Sequence, residues 1–440
     1  MPKRSKPRGL SAGTDIVRVL WSDLYGVARG KDLAAADFPR VREHGLAFCS
    51  ALMLTDLSAN PADAPDTSGA GFPDAAAIPD LSTLIDLPYA PGVMCCLADL
   101  AEPGQTKAHP YAARDALRRQ VALAGKLGLA PVIGPEMEFY LCHLDPAAHH
   151  GWRPYVERDT ASYVVGSLAD PAGILVKLLR LCAADLGATA ACHEFSAGQF
   201  EINQIHSEAL NAADRAFLLR HFIKEAAAQQ GLRATFLGKP FTEKSGSGFH
   251  LHVSLQTPKG GNAFADPLAA DGLSAVAHHF LAGVLDHAPG LTAILNPTIN
   301  SYKRLLGGAL APSAANWGYD NRTAFIRIPP ERGGGARLEI RGGDAAGNPY
   351  LMMAGVIAAG LDGIARKLAP AKPITGLETT GPALPTSLGA AIVLLEKDKV
   401  LAAALGTGLV EGLCRLKRKE IARFERSVTD WEVREYAWLL

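Results

Sequence analysis

GPEMEFYL (Gly134–Leu141) puts two glutamates two residues apart inside an otherwise apolar segment with the alternation of a β-strand. Side chains on a strand point alternately to opposite faces, so Glu136 and Glu138 share one face and Met137 and Phe139 the other. Neighbouring carboxylates on a partly buried face repel each other and lose hydration, and a bound cation offsets both costs. An edge strand with one wet face would show the same pattern, so the other strands must decide between the two readings.

Several further segments share the peculiarity. GQFEINQIH (198–206) sets Glu201 and Asn203 opposite Phe200 and Ile202, and FHLHVSL (249–255) aligns His250, His252 and Ser254 against Phe249, Leu251 and Val253. TAFIRIP (323–329) carries Arg327 opposite Ile326 and Ile328; ARLEIRG (336–342) aligns Arg337, Glu339 and Arg341 against Leu338 and Ile340. None of these loaded faces holds a lysine, whereas a merely solvated sheet face is usually dressed with Lys, Thr and Ser. The pattern predicts one curved antiparallel sheet with helices behind its apolar face and a concave surface of carboxylates, imidazoles and guanidiniums in front.

The bulk composition places this sheet in an ordinary globular chain. Its 440 residues, 48% of them hydrophobic, suffice for more than one domain. Lys+Arg and Asp+Glu balance at 44 each, which leaves no electrostatic footprint for nucleic acid or an anionic membrane. The basic start, MPKRSKPRGL, is followed by no apolar signal region, and the longest apolar run, from Tyr350, stops at Asp362, short of a membrane span. The 7 cysteines include no C-x-x-C pair, so reduced thiols and a cytoplasmic location are expected. Residues 1–13 read as a disordered tail and 14–106 as a small α+β domain with long Pro/Gly-rich connections. Residues 107–440 form the larger domain, opening on the helical period of AARDALRRQVALAGKLG.

Clustered glutamates with a single histidine suit hard divalent cations such as Mg²⁺ or Mn²⁺, which prefer oxygen ligands and bridge to nucleotide phosphates. Arginines beside them suit carboxylate and phosphate groups and can neutralise charge on a transferred phosphoryl group. The composite points to ATP-dependent activation of a carboxylate. It does so without the usual nucleotide motifs: SGSGFHLH lacks the third glycine of G-x-G-x-x-G and leads into a strand, and no P-loop occurs.

In order along the chain, GPEMEFYL, CHEFSAGQFEIN, GSGFHLHVSL, NPTINSYKRL, NRTAFIRIP, LEIRGGDAAGNPYL and VTDWEVREY resemble the blocks of the glutamine synthetase family, type I-like branch. The resemblance implies a β-grasp-like N-terminal domain on a larger catalytic domain, and stacked rings, hexamers or dodecamers, with sites between subunits. It implies that Glu138, Glu194 and Glu201 hold one divalent cation and Glu136, His250 and Glu339 the second. Gly246, Arg304 and Arg341 resemble the glutamate-binding positions; Ser254, Arg322, Arg327 and Arg337 resemble residues on ATP and the transferred phosphate. Asp23, in WSDLYGVARGK, would reach the adjacent subunit's site and hold the incoming ammonium. The implied catalytic set is Asp23, Arg322 and Arg341, and the implied chemistry is attack of the glutamate γ-carboxylate on ATP, followed by displacement of phosphate by a nitrogen nucleophile.

One position departs from that pattern. Ammonia-using members carry a flap glutamate two residues before a proline, and here Leu310 precedes Pro312 by two. An apolar side chain there favours a substituted amine with carbon to bury, so a γ-glutamyl-amine ligase is expected, with ammonia-dependent glutamine synthetase or an inactive structural relative as alternatives. Trp317 is expected beside Leu310 at the amine entrance, and Ser245 stands where ammonia-using relatives have Asn.

Overall fold

The computed structural model describes residues 9–440 apart from 66, 103, 105, 106, 149, 160, 161 and 307–309. The expected tail through residue 8 and the expected boundary at 106 lie outside the described residues. The chain opens with a six-stranded sheet of β1 (Ile16–Ser22), β2 (Ala28–Ala34), β3 (Leu46–Cys49), β4 (Asp74–Pro79), β5 (Ile85–Asp86) and β6 (Val93–Ala101). Its order is β2-β1-β6-β4-β3, with β1 and β6 parallel and β5 beside β6. The period of β1 explains its two faces: Val17, Val19 and Trp21 are buried, Trp21 stacking on Phe48, while Arg18 pairs with Asp32 of β2.

The second sheet has ten strands: β7 (Ala130–Leu144), β8 (Trp152–Pro154), β9 (Ala188–His193), β10 (Gln199–Gln204), β11 (Ser207–Glu208), β12 (Arg233–Thr235), β13 (Phe249–Gln256), β14 (Trp317–Tyr319), β15 (Ile326–Ile328) and β16 (Leu338–Ile340). The order is β14-β15-β16-β13-β7-β10-β9, and the long β7 also pairs with β8, β11 and β12. Every charged strand expected from the sequence is in it. The sheet is not wholly antiparallel, because β14 and β15 run parallel at its edge. Asn316 explains this: its carbonyl accepts from the Ile326 N–H and its side-chain oxygen from the Phe325 N–H, drawing the returning chain alongside.

Helices α1 (Phe38–His44), α2 (Ala113–Lys126), α3 (Ile174–Leu186), α4 (Ala209–Gln229), α5 (Ala275–Asp286), α6 (Ala288–Leu295), α7 (Ile299–Leu306) and α8 (Pro349–Arg366) include the apolar backing of the large sheet. Phe139, Phe200, Phe249 and Leu251, on the faces away from the charges, are fully buried, and α4 packs on β7. Helix α8 crosses α5 where Gly283 meets Gly363; a Cβ on Gly283 would lie 2.7 Å from the Gly363 Cα, so larger residues would force the helices apart. Arg114 of α2 ties the two sheets' elements together, donating to Asp80, Asp99 and Asp214 at 2.6–2.8 Å.

Candidate active site

Strand register assembles the charged face. Pairing of β7 with β10 sets Glu136 opposite Asn203 and Glu138 opposite Glu201. β13 sets His250 opposite Glu136 and His252 opposite Glu339 of β16, and Arg327 of β15 meets Glu339 from the other side. Glu194 comes from the turn after β9, held by its N–H on the Gln199 carbonyl at 2.9 Å. These side chains line a cavity of about 1160 Å³ together with Gly246, Ser254, Arg304, Leu310, Arg322, Arg337 and Arg341.

The ligand atoms fall into overlapping clusters, each within 4.8 Å: Glu136 with His250 and Glu339; Glu138 with Glu201 and His250; and Cys192 with Glu194 and Glu201. The first is the trio expected from the sequence. The other expected trio is divided here, with Glu201 shared between Glu138 on one side and Glu194 on the other. His250 Nδ1 lies 2.8 Å from Glu136 and its Nε2 3.9 Å from Glu138.

Electrostatics explains what this arrangement lacks. Burial, and then the Glu136 and Glu138 charges, push the Glu201 carboxyl well up, and burial followed by Glu138 pushes Glu194 up to about 7. Glu339 is the opposite case: against its burial, Arg341 and His250 hold it down to about 2. The Glu194–Glu201 side therefore carries carboxylates with too little positive charge around them, whereas against its burial His250 and His252 hold Glu136 well below the usual carboxylate range. An oxygen-rich donor set with one imidazole and surplus negative charge fits a hard divalent cation.

The arginines divide by what already occupies them. Arg327 bonds Asp320 and Glu339, and Arg337 bonds Glu331 at 3.0 Å and reaches His252 Nδ1 at 3.2 Å. Arg341 pairs with Glu339 and donates Nε to the Arg322 carbonyl. Arg322, exposed into the cavity, has no ion pair among the described residues. Arg304 of α7 is only 6% exposed, yet one of its amino groups has no partner among the described residues, and burial lowers its pKa. Gly246 makes room for it: a Cβ there would stand 2.6 Å from the Gly238 carbonyl oxygen and 2.7 Å from Arg304 Cγ.

Two expected site residues lie elsewhere in the chain. Trp317 is buried, with its indole N–H on the Ala371 carbonyl at 2.7 Å and its ring against Tyr319; it does not line the cavity, and the expectation that it does is corrected. Asp23 sits at the β1–β2 turn, 1% exposed, accepting from the Val27 N–H and from Arg29 Nε at 2.8 Å, away from the cavity of its own chain. Leu310 lines the cavity, 39% exposed, and so do two aromatics the sequence reading passed over, Phe195 (54% exposed) and Tyr163. Also passed over was Gln199, which donates to Glu138 at 3.1 Å; it shares the face of Glu201 and was findable by alternation alone. Tyr163 gives no such signal, for it stands in a non-periodic loop with a left-handed backbone, φ 64°.

Residues 110–436 match the model of the family described as glutamine synthetase, catalytic domain. A glutamine synthetase of Halobacterium salinarum is 33% identical over 455 aligned positions, covering 96% of this chain and 94% of that protein. A glutamate–isopropylamine ligase of a Pseudomonas species is 34% identical over 438 positions, covering 96% and 95%. Among solved structures, a complex of GmaS with ADP superposes with a TM-score of 0.86 at 34% identity, covering 97% of both chains.

Proposed function

Since the chain belongs to the glutamine synthetase catalytic-domain family and is an ATP-dependent ligase acting on glutamate, we propose that its nitrogen donor is an organic amine and its product a γ-glutamyl amide. The observation that carries this reading is Leu310 at the cavity, in the place where the resemblance to ammonia-using members leads one to expect a glutamate. Phe195 and Tyr163 line the same cavity, offering carbon for an alkyl group to contact.

In this reading Arg304 and Arg341 receive the glutamate carboxylates beside Gly246. Arg304's unpartnered amino group is then satisfied by substrate. Arg322 faces the transferred phosphoryl oxygens, while Ser254, Arg327 and Arg337 position the nucleotide phosphates. Divalent cations such as Mg²⁺ or Mn²⁺, held by Glu138, Glu194 and Glu201 and by Glu136, His250 and Glu339, would screen the repulsion between γ-carboxylate and γ-phosphate. Gln199 and the Gly248 N–H, both bonded to Glu138, fix that carboxylate's orientation. The reading also takes up the ring assembly, in which Asp23 would serve a neighbouring site; its present bond to Arg29 would then have to yield a lone pair to the amine.

The test is phosphate release from ATP with Mg²⁺ and glutamate, comparing ammonium, isopropylamine, ethanolamine, putrescine and spermine in the native chain and in Leu310→Glu. An organic amine should outrun ammonium in the native chain. The substitution should narrow that preference by about fourfold per methylene no longer buried. Fastest turnover with ammonium would make the protein a glutamine synthetase lacking a flap carboxylate, and no turnover with any amine would make it an inactive relative.

A further inference from the structure

Two buried side chains fasten the Asp23 turn to the segment that leaves the cavity. Asn348 caps α8, its Oδ1 accepting from the Tyr350 N–H at 3.0 Å. That acceptor is all a cap needs, and Ser, Thr or Asp would supply it as well. The amide nitrogen of Asn348, a residue 2% exposed, donates elsewhere: to the Asp23 carbonyl at 2.9 Å and the Ser22 hydroxyl at 3.2 Å, with the Leu24 carbonyl at 3.4 Å. Arg220 of α4 spans the same gap. One of its amino groups donates to the Gly26 carbonyl, the other to the Gly347 carbonyl at 3.0 Å and the Ala345 carbonyl at 3.3 Å. Arg220 is buried without an ion pair among the described residues, a costly way to join two loops unless their spacing matters. Gly26, at φ 75°, admits both ties: a Cβ there would lie 2.5 Å from Arg220 Nη2 and 3.1 Å from Asn348 Cα.

The other end of the tie is the substrate cavity. Residues 341–348 run from Arg341 to Asn348, and on the way the Gly343 carbonyl accepts from the Phe249 N–H and the Ala345 N–H donates to the Ser247 carbonyl, between Gly246 and His250. A shift of this segment therefore carries the Asp23 turn with it. Resting on the reading that Asp23 holds the incoming amine in a neighbouring subunit's site, we propose that Asn348 and Arg220 are positioning residues for the amine step, locking the Asp23 turn in register with the segment that follows Arg341. Each subunit then presents Asp23 to its neighbour from a frame fixed by its own glutamate site. Tyr25 is held separately, its ring 3.6 Å from Lys417 Nζ and its hydroxyl on Glu420 at 3.1 Å, so cutting the tie leaves the turn folded and costs it its aim.

The experiment compares the native full chain with Asn348→Ser, which keeps the helix cap, with Arg220→Lys, which keeps the charge but cannot fork between two segments, and with Asp23→Asn. The amine is the fastest of ammonium, isopropylamine, ethanolamine, putrescine and spermine. Each tie variant should lower kcat/KM for that amine about tenfold, while KM for glutamate and for ATP stays within about twofold. Formation of γ-glutamyl phosphate without amine, read by positional isotope exchange in ATP, should match the native chain, which a general loss of structure would not allow. Adding Asn348→Ser to Asp23→Asn should cost little beyond Asp23→Asn alone. Equal losses for glutamate, ATP and amine, or an unchanged amine kcat/KM in both tie variants while Asp23→Asn lowers it, overturn the proposal. An amine kcat/KM unchanged in Asp23→Asn overturns the reading of Asp23 beneath it.

Discussion

Arg304→Met separates a substrate-binding arginine from a structural one. Among the described residues the guanidinium, 6% exposed, makes only a long 3.5 Å contact to the Arg341 carbonyl and leaves one amino group unpartnered. Burial lowers its pKa, with Glu138 and Asp344 compensating only at a distance. In the unliganded protein this charge is therefore held at a cost. Replacing a poorly compensated buried ion by an apolar side chain of similar length is often neutral or stabilising. With glutamate bound, the same group makes charge-assisted hydrogen bonds worth about 1.5–3 kcal/mol, or roughly 10- to 150-fold in kcat/KM. The expected result is a melting temperature equal to or above that of the native chain, an unchanged affinity for ATP, and kcat/KM for glutamate reduced by that factor. Differential scanning calorimetry and a coupled ADP-release assay measure both quantities on one preparation. A melting temperature lower by several degrees with an unchanged KM for glutamate would refute the reasoning and make Arg304 a packing residue.

Two further perturbations test other parts of the structure. Gly246→Ala puts a methyl against the Gly238 carbonyl and the Arg304 stem, so overpacking of about 1–3 kcal/mol should appear as a 5- to 150-fold higher KM for glutamate, read by initial-rate kinetics. His287, between α5 and α6, opposes burial with bonds to Asp398 at 2.6 Å and Asp362 at 3.1 Å that raise its pKa above the ordinary histidine value. A raised folded-state pKa means that its stabilisation is complete below about pH 6.5 and is lost as pH rises through the folded value. His287→Gln should therefore lower stability by about 1.5 kcal/mol in mild acid, with the gap to the native chain closing in alkali, as thermal melts across pH will show.

The charged face was legible because strands leave a period of two in the sequence, and the residues carrying chemistry replaced polar filler at every second position. Glu136, Glu138, Glu201, His250 and Glu339 could be read together for that reason, and their register in the structure is direct. The residues misjudged or missed stand where no period constrains them. Trp317 looks like an entrance residue in its local sequence, but its indole is captured by Ala371, distant in the chain. The parallel pairing of β14 with β15 depends on Asn316 bonding two backbone groups, a long-range choice that alternation does not encode.

The dependence of the site on register also sets which length changes the gene can tolerate. Deleting one residue within Phe249–Gln256 would turn Phe249 and Leu251 toward the cavity and send His250 into the apolar backing, losing a cation ligand and part of the core in one step. The exposed turn after Thr257, closed by a backbone bond between Thr257 and Gly261, can lengthen without moving any ligand. Divergence in chain length among relatives should thus collect in such turns, while the strands keep constant length even where their sequences drift.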